Sequence, residues 1–67
     1  MVYKPGDIID IIINKHEGDY NYFIVTVFFD NGVIYMKPID NKGKITNHAY
    51  HVDANRCRLI ERINEEI

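Results

Sequence analysis

Two runs of β-branched and aromatic residues, Tyr22 to Phe29 and Val33 to Ile39, are separated by Asp30-Asn31-Gly32. Asn-Gly between apolar strands favours a two-residue type I′ turn, because both central positions must accept positive φ. The two runs therefore pair antiparallel, and a chain committed to this hairpin is committed to a sheet. Within the first run, Phe23, Val25, Val27 and Phe29 share one face, which turns Thr26 and Phe28 to the other. Pro38 cannot donate to a ladder and marks an edge, a bulge or the end of its strand. Asp40-Asn41-Lys42-Gly43 supplies a second, slightly longer hairpin turn, followed by a weaker strand from Lys44 to Val52. Asp53-Ala54-Asn55-Arg56 reads as one tight turn before a last short strand, Cys57 to Glu61. Ile60, Ile63 and Ile67 also allow a terminal helical turn.

The start of the chain, VYKPGDIIDIIIN, adds the first strand. Lys4-Pro5-Gly6-Asp7 is a turn, since Pro fixes φ and Gly accepts conformations other residues avoid. Placing Ile9, Ile11 and Ile13 inward puts Ile8, Asp10 and Ile12 outward, so Asp10 marks the solvent face and sets the register. Ile8 and Ile12 then remain to be covered by a strand crossing, a dimer or a partner. Asn14 to Asn21 is a polar loop with Gly18 near its middle.

The 67 residues make one domain, assigned to residues 1–63, with 64–67 as a solvated acidic tail. Cys57 is the only cysteine, so no internal disulfide forms, and a reducing, cytoplasmic setting fits best. The longest uncharged apolar runs are far short of a membrane span. Twelve Ile, seven Asn and no Ser, Gln or Trp are the bias that AT-rich codons produce, which points to a low-GC bacterium or its phage. Eight basic residues against ten acidic ones give no global field to gather nucleic acid. The distribution is uneven. Asp7, Asp10, Glu17, Asp19 and Asp30 fall in the first half, and six basic groups fall between residues 37 and 62, which makes one side of the molecule mildly basic.

Five short strands joined by a loop, two hairpins and one tight turn resemble the SH3-like small barrels in order and size. The fold expected is therefore all-β, a five-stranded SH3-like barrel, with a two-layer sheet completed by a C-terminal helix as the alternative. Gly6, Asp7 and Gly18 in GDIIDIIINKHEG match the KOW and Tudor type, in which a Gly-Asp turn opens the first strand and a Gly marks the next loop. Asn21 stands where KOW modules usually carry another Gly. The resemblance implies use as an interaction module, with the first loop, the hairpin turn and the segment before the last strand converging on one side. Tyr20, Tyr22, Tyr35 and Tyr50 would then form an aromatic anchor set of the kind that dominates interfaces.

Chemistry has few candidates. His48, His51, Asp53 and Cys57 are metal-ligand types, but a three-residue spacing along a strand sends the two imidazoles to opposite faces, so no metal site is expected. Turn and solvent-face roles account for Asp10, Glu17 and Asp19, and Cys57 alternates with Leu59 as a small inward hydrophobe. No catalytic residue and no cofactor are expected, and the single, scattered glycines make no phosphate loop. Three readings follow. The first is a non-catalytic module that docks on a larger protein, a small bacterial or phage regulator. The second is a nucleic-acid-binding barrel, with Lys37, Lys42, Lys44, Arg56 and Arg58 on phosphates and tyrosines stacked on bases. The third is a component that self-associates through Ile8, Ile12, Ile24 and Phe28. Net negative charge favours the first.

Overall fold

The computed structural model describes residues 2–62. Strands β1 (Asp7–Ile11), β2 (Tyr22–Phe28), β3 (Val33–Ile39), β4 (Tyr50–Asp53) and β5 (Cys57–Arg62) form one antiparallel sheet in the order β4-β3-β2-β1-β5. A single 3-10 turn, Ala54–Arg56, joins β4 to β5. One face of this sheet supplies Ile9, Ile11, Phe23, Val25, Ile34, Met36, Val52 and Cys57, which together with Tyr3 form a single buried cluster. With no second layer among the described residues, the sheet covers its apolar face by curling on itself into a small barrel-like globule of 11.0 Å radius of gyration. The expected all-β architecture is thus observed, and Ile60 belongs to β5. The acidic tail 64–67, and a helical turn through Ile63 and Ile67, lie outside the described residues. No helix among the described residues is long and apolar enough to cross a membrane.

Both hairpins use the same loop, and it differs from the two-residue turn expected at Asn31-Gly32. The Gly32 amide donates to the Phe29 carbonyl at 3.0 Å and the Phe29 amide to the Val33 carbonyl at 2.9 Å. Gly32 has φ +89° while Asp30 and Asn31 keep negative φ. This is a type I-like turn closed by a left-handed glycine, the three-residue hairpin loop. Asn31 contributes through its side chain instead of its own φ: its Oδ1 accepts from the Val33 amide at 3.2 Å. The Asp40–Lys44 connection repeats the pattern, with Gly43 to Asp40 at 3.0 Å, Asp40 to Lys44 at 2.9 Å and Gly43 at φ +83°. The second loop is therefore the same length as the first. Asp40 Oδ1 tightens it further by accepting from the amides of Lys42 and Lys44.

Departures from simple alternation reshape the strands, among them a register shift in the β1–β5 pairing between Ile8 and Ile9. In β2, Val25 pairs with Met36 but Val27 pairs with Tyr35, so Thr26 and Val27 together oppose one residue of β3. This bulge shifts the phase of everything beyond it. Val27 and Phe29 turn outward, each 41% exposed, and Phe28 turns inward against the core, edge-on to buried Tyr3 at 6.0 Å. β1 ends at Ile11, because the amides of Ile12 and Ile13 both donate to the Arg56 carbonyl, at 2.8 and 3.3 Å, and alternation stops there. Ile13, expected inside, is 49% exposed. After the second hairpin only an isolated Ile39–Ile45 bridge forms before β4 begins at Tyr50, so the strand expected from Lys44 is much shorter. The hydroxyl of Thr46 accepts from the His48 amide, a local bond that competes with the ladder. Pro38 fits as foreseen: its carbonyl accepts from the Thr46 amide at 2.9 Å, so its missing donor faces the side where β4 has already run out.

Asp7 is more than a turn residue. It is fully buried, and Arg62 donates to both of its carboxylate oxygens, at 3.0 and 2.9 Å, across the β1–β5 pairing, while the Lys4 amide adds a third bond at 2.9 Å. Burial alone pushes the Asp7 carboxyl up. The Arg62 and Lys4 hydrogen bonds outweigh it and hold the group below its ordinary value.

Gly32→Val places a β-branched residue at positive φ and should cost about 1–2 kcal/mol, although open space surrounds the position. Lys42→Val, at negative φ in the other loop, should change stability by less than about 0.5 kcal/mol. Chemical denaturation of the pair checks this, and equal losses would remove the hairpin glycine from the account. A carboxyl with a lowered folded pKa contributes stability that is complete above its ordinary 3.8 and disappears as pH falls through the folded value. Asp7→Asn should therefore be less stable than the native chain at neutral pH, by on the order of 2 kcal/mol, with a gap that closes on acidification below about pH 4. A gap independent of pH would show that the ion pair does not supply it.

Candidate binding surface

The four tyrosines expected to converge fall into two groups on opposite faces of the sheet. Tyr50 pairs with Met36 and its ring meets Phe23 edge-on at 6.2 Å. Tyr20 packs edge-on against the same Phe23 at 6.4 Å. Gly18 fits beside both, since a Cβ there would lie 3.2 Å from the Tyr20 ring and 3.4 Å from the Tyr50 hydroxyl. These two rings cap the core. Tyr22 precedes inward Phe23 and so faces outward, and Tyr35 lies on the outer face with its partners Val27 and His51.

The bulge in β2 gives the outer face its character. Phe29, turned outward by the phase shift, meets Tyr35 edge-on at 5.0 Å, and Tyr35 stacks on His51 at 5.7 Å with 29° between planes. Phe29 and Tyr35 stay 41% and 45% exposed. Together with Asn31 and Val33 the three rings line an open hollow of about 320 Å³. Rings that contact one another while leaving apolar area in water form an anchor of the kind that interfaces bury. Two of these residues were not legible as a surface in the sequence. Alternation in the sequence places Phe29 inside, and His51 reads there as a metal-ligand type.

The basic residues are divided as well. Arg58 forms a two-pronged pair with Asp10 across β1–β5, at 3.2 and 2.8 Å, which gives Asp10 a partner as well as a place on the outer face. Arg56 donates to the carbonyls of Ile13 and Asn14 and lies 3.4 Å from Glu17. Glu17 is buried and also accepts from the His16 amide, so it braces the first loop. With Arg62 on Asp7, the arginines of the C-terminal half meet carboxylates of the N-terminal half. Half of the basic groups read from the sequence between residues 37 and 62 are thereby neutralised within the molecule. Lys37 stands on the outer face of β3, while Lys42 and Lys44 belong to the second hairpin, and none of the three makes an ion pair among the described residues.

The cysteine and the histidines are held in separate settings. Cys57 is buried, its sulfur lies 3.8 Å from the Asp53 carbonyl, and burial pushes its thiol up to about 11, so it is protonated at neutral pH. It borders a second hollow between the first hairpin and the 3-10 turn, lined also by Phe28, Asn31, Asp53 and Asn55. Among the described residues no three His, Cys, Asp or Glu side chains gather closely enough to hold a metal ion. His48 tilts against Tyr20 while His51 stacks on Tyr35. Comparison of the chain with protein-family models, with curated proteins and with solved structures finds no match.

Tyr50→Ala should lower stability by about 1–3 kcal/mol, because it uncovers Phe23. Tyr35→Ala, on the outer face, should cost less than Tyr50→Ala, about 0.5–1 kcal/mol, the worth of its half-exposed contacts with Phe29 and His51. Thermal melts of the two variants check the division, and a larger loss from Tyr35→Ala would place that ring in the core.

Proposed function

We propose that this chain is a non-catalytic protein-binding module, a small regulator that docks on a larger protein. The observation that carries the reading is the exposed Phe29–Tyr35–His51 stack with its hollow. Tyr35 is the central anchor and Tyr22 a second exposed ring on the same face, while Tyr20 and Tyr50 serve the fold. The meander order, with a 3-10 turn between the fourth and fifth strands, supports the SH3-like resemblance and with it the use of such barrels as interaction modules. The internal pairing of Arg56 and Arg58 favours a protein partner over nucleic acid, because it reduces the free phosphate-binding set to three lysines. Lys37, on the same face as Tyr35, is the observation in favour of the nucleic-acid reading.

Affinity capture with the native chain, Tyr35→Ala and Tyr20→Ala, each with and without nuclease, tests this. The expected outcome is a protein that Tyr35→Ala loses at least tenfold and nuclease leaves in place. Capture that nuclease abolishes, or binding to mixed-sequence DNA or RNA that falls steeply between low and high salt, would transfer the function to nucleic acid. Equal retention by Tyr35→Ala would remove the stack from the interface.

A further inference from the structure

Four residues on the outer face form one continuous cross-strand row. Glu61 of β5 pairs with Ile8 of β1, Ile8 with Ile24 of β2, and Ile24 with Lys37 of β3. The flanking Ile9, Phe23 and Met36 point into the core, so Ile8, Ile24 and Lys37 face out, and Glu61, beyond the register shift that leaves Ile60 unpaired, is exposed beside Ile8. Its composition is acid, apolar, apolar, base. Ile8 and Ile24 are only half-buried by their own chain, and the two charges stand about 14 Å apart, three strand spacings, too far to pair with each other.

Such a row is complementary to itself. We propose that two copies of this chain dock through it, face to face, about a two-fold axis that lies between them, runs along the strands and crosses the row midway between Ile8 and Ile24. That operation puts Ile8 of one copy over Ile24 of the other and Lys37 of each over the opposite Glu61, the isologous arrangement of a symmetric dimer. The curl of the sheet makes the two faces meet first at the isoleucines, and the long Lys and Glu side chains span the wider gap at the ends. Burial of the isoleucines supplies attraction, and the charge order supplies register, because a copy rotated the other way would set like charges opposite each other. Of the residues the sequence marked for self-association, Ile8 and Ile24 are in the row, while Phe28 faces the core. The inference is independent of the partner-docking reading, whose stack lies toward the first hairpin.

Sedimentation equilibrium from about 1 μM to about 1 mM reads the association directly. The expected result is a monomer–dimer equilibrium that Lys37→Glu weakens at least tenfold, that Glu61→Lys weakens likewise, and that the double variant Lys37→Glu/Glu61→Lys restores to within about threefold. Rescue can only arise between copies, since the two side chains cannot reach each other within one. Circular dichroism of each variant confirms the fold, and Lys42→Glu, the same charge reversal placed in the second hairpin outside the row, should leave the equilibrium unchanged. A native chain that stays monomeric throughout this range overturns the proposal, as does a double variant no better than the single ones. Monomeric behaviour alongside a Tyr35-dependent partner would sink the dimer and leave the docking function standing.

Discussion

Everything in this small barrel is arranged around β1, the strand that pairs with β2 on one side and with β5 on the other. The Asp7–Arg62 pair fixes that second seam. A carboxylate with no exposure to water is costly unless its charge is answered, and here it receives a two-pronged guanidinium and a backbone amide. Asp10–Arg58 repeats the pairing on the outer face, and Arg56 ties the 3-10 turn back to the first loop at Ile13, Asn14 and Glu17. A 67-residue chain whose single cysteine leaves it no internal disulfide thus staples its two halves, among the described residues, with the ion pairs Arg56–Glu17, Arg58–Asp10 and Arg62–Asp7.

The same pairs decide which surfaces are open to partners. Arginines spent on internal carboxylates are not offered to phosphates, and the outer face that remains is apolar and aromatic with few free charges. Its two features follow from separate irregularities of pairing. The β2 bulge turns Val27 and Phe29 outward and so builds the stack around Tyr35. The register shift in the β1–β5 pairing between Ile8 and Ile9 sets Glu61 beside Ile8, in line with Ile24 and Lys37. One sheet face therefore carries an aromatic anchor near the first hairpin and a self-complementary charged row nearer its middle.

Local chemistry alone determined a good deal. Glycines closing the Asp-Asn turns placed both hairpins, β-branched runs placed β1, β2 and β3, the tight turn after Asp53 and the alternation of Cys57 with Leu59 placed β5, and Pro38 marked where the β3 ladder loses a neighbour. Turn residues act over three or four positions and alternation over two, so these are properties that a stretch of chain carries with it. Tertiary structure decided the rest. Val27, Phe28 and Phe29 are all apolar, so either phase satisfies the pattern, and only pairing with β3 chose the one that exposes Phe29. Asp7, Asp10 and Glu17 looked like turn and surface residues because their partners lie 55, 48 and 39 positions away. Tyr20 and Tyr50 read no differently from Tyr22 and Tyr35 until the fold set one pair against Phe23 and left the other in water. A side chain's burial and its charge partner are relations between distant segments, and no local pattern encodes them.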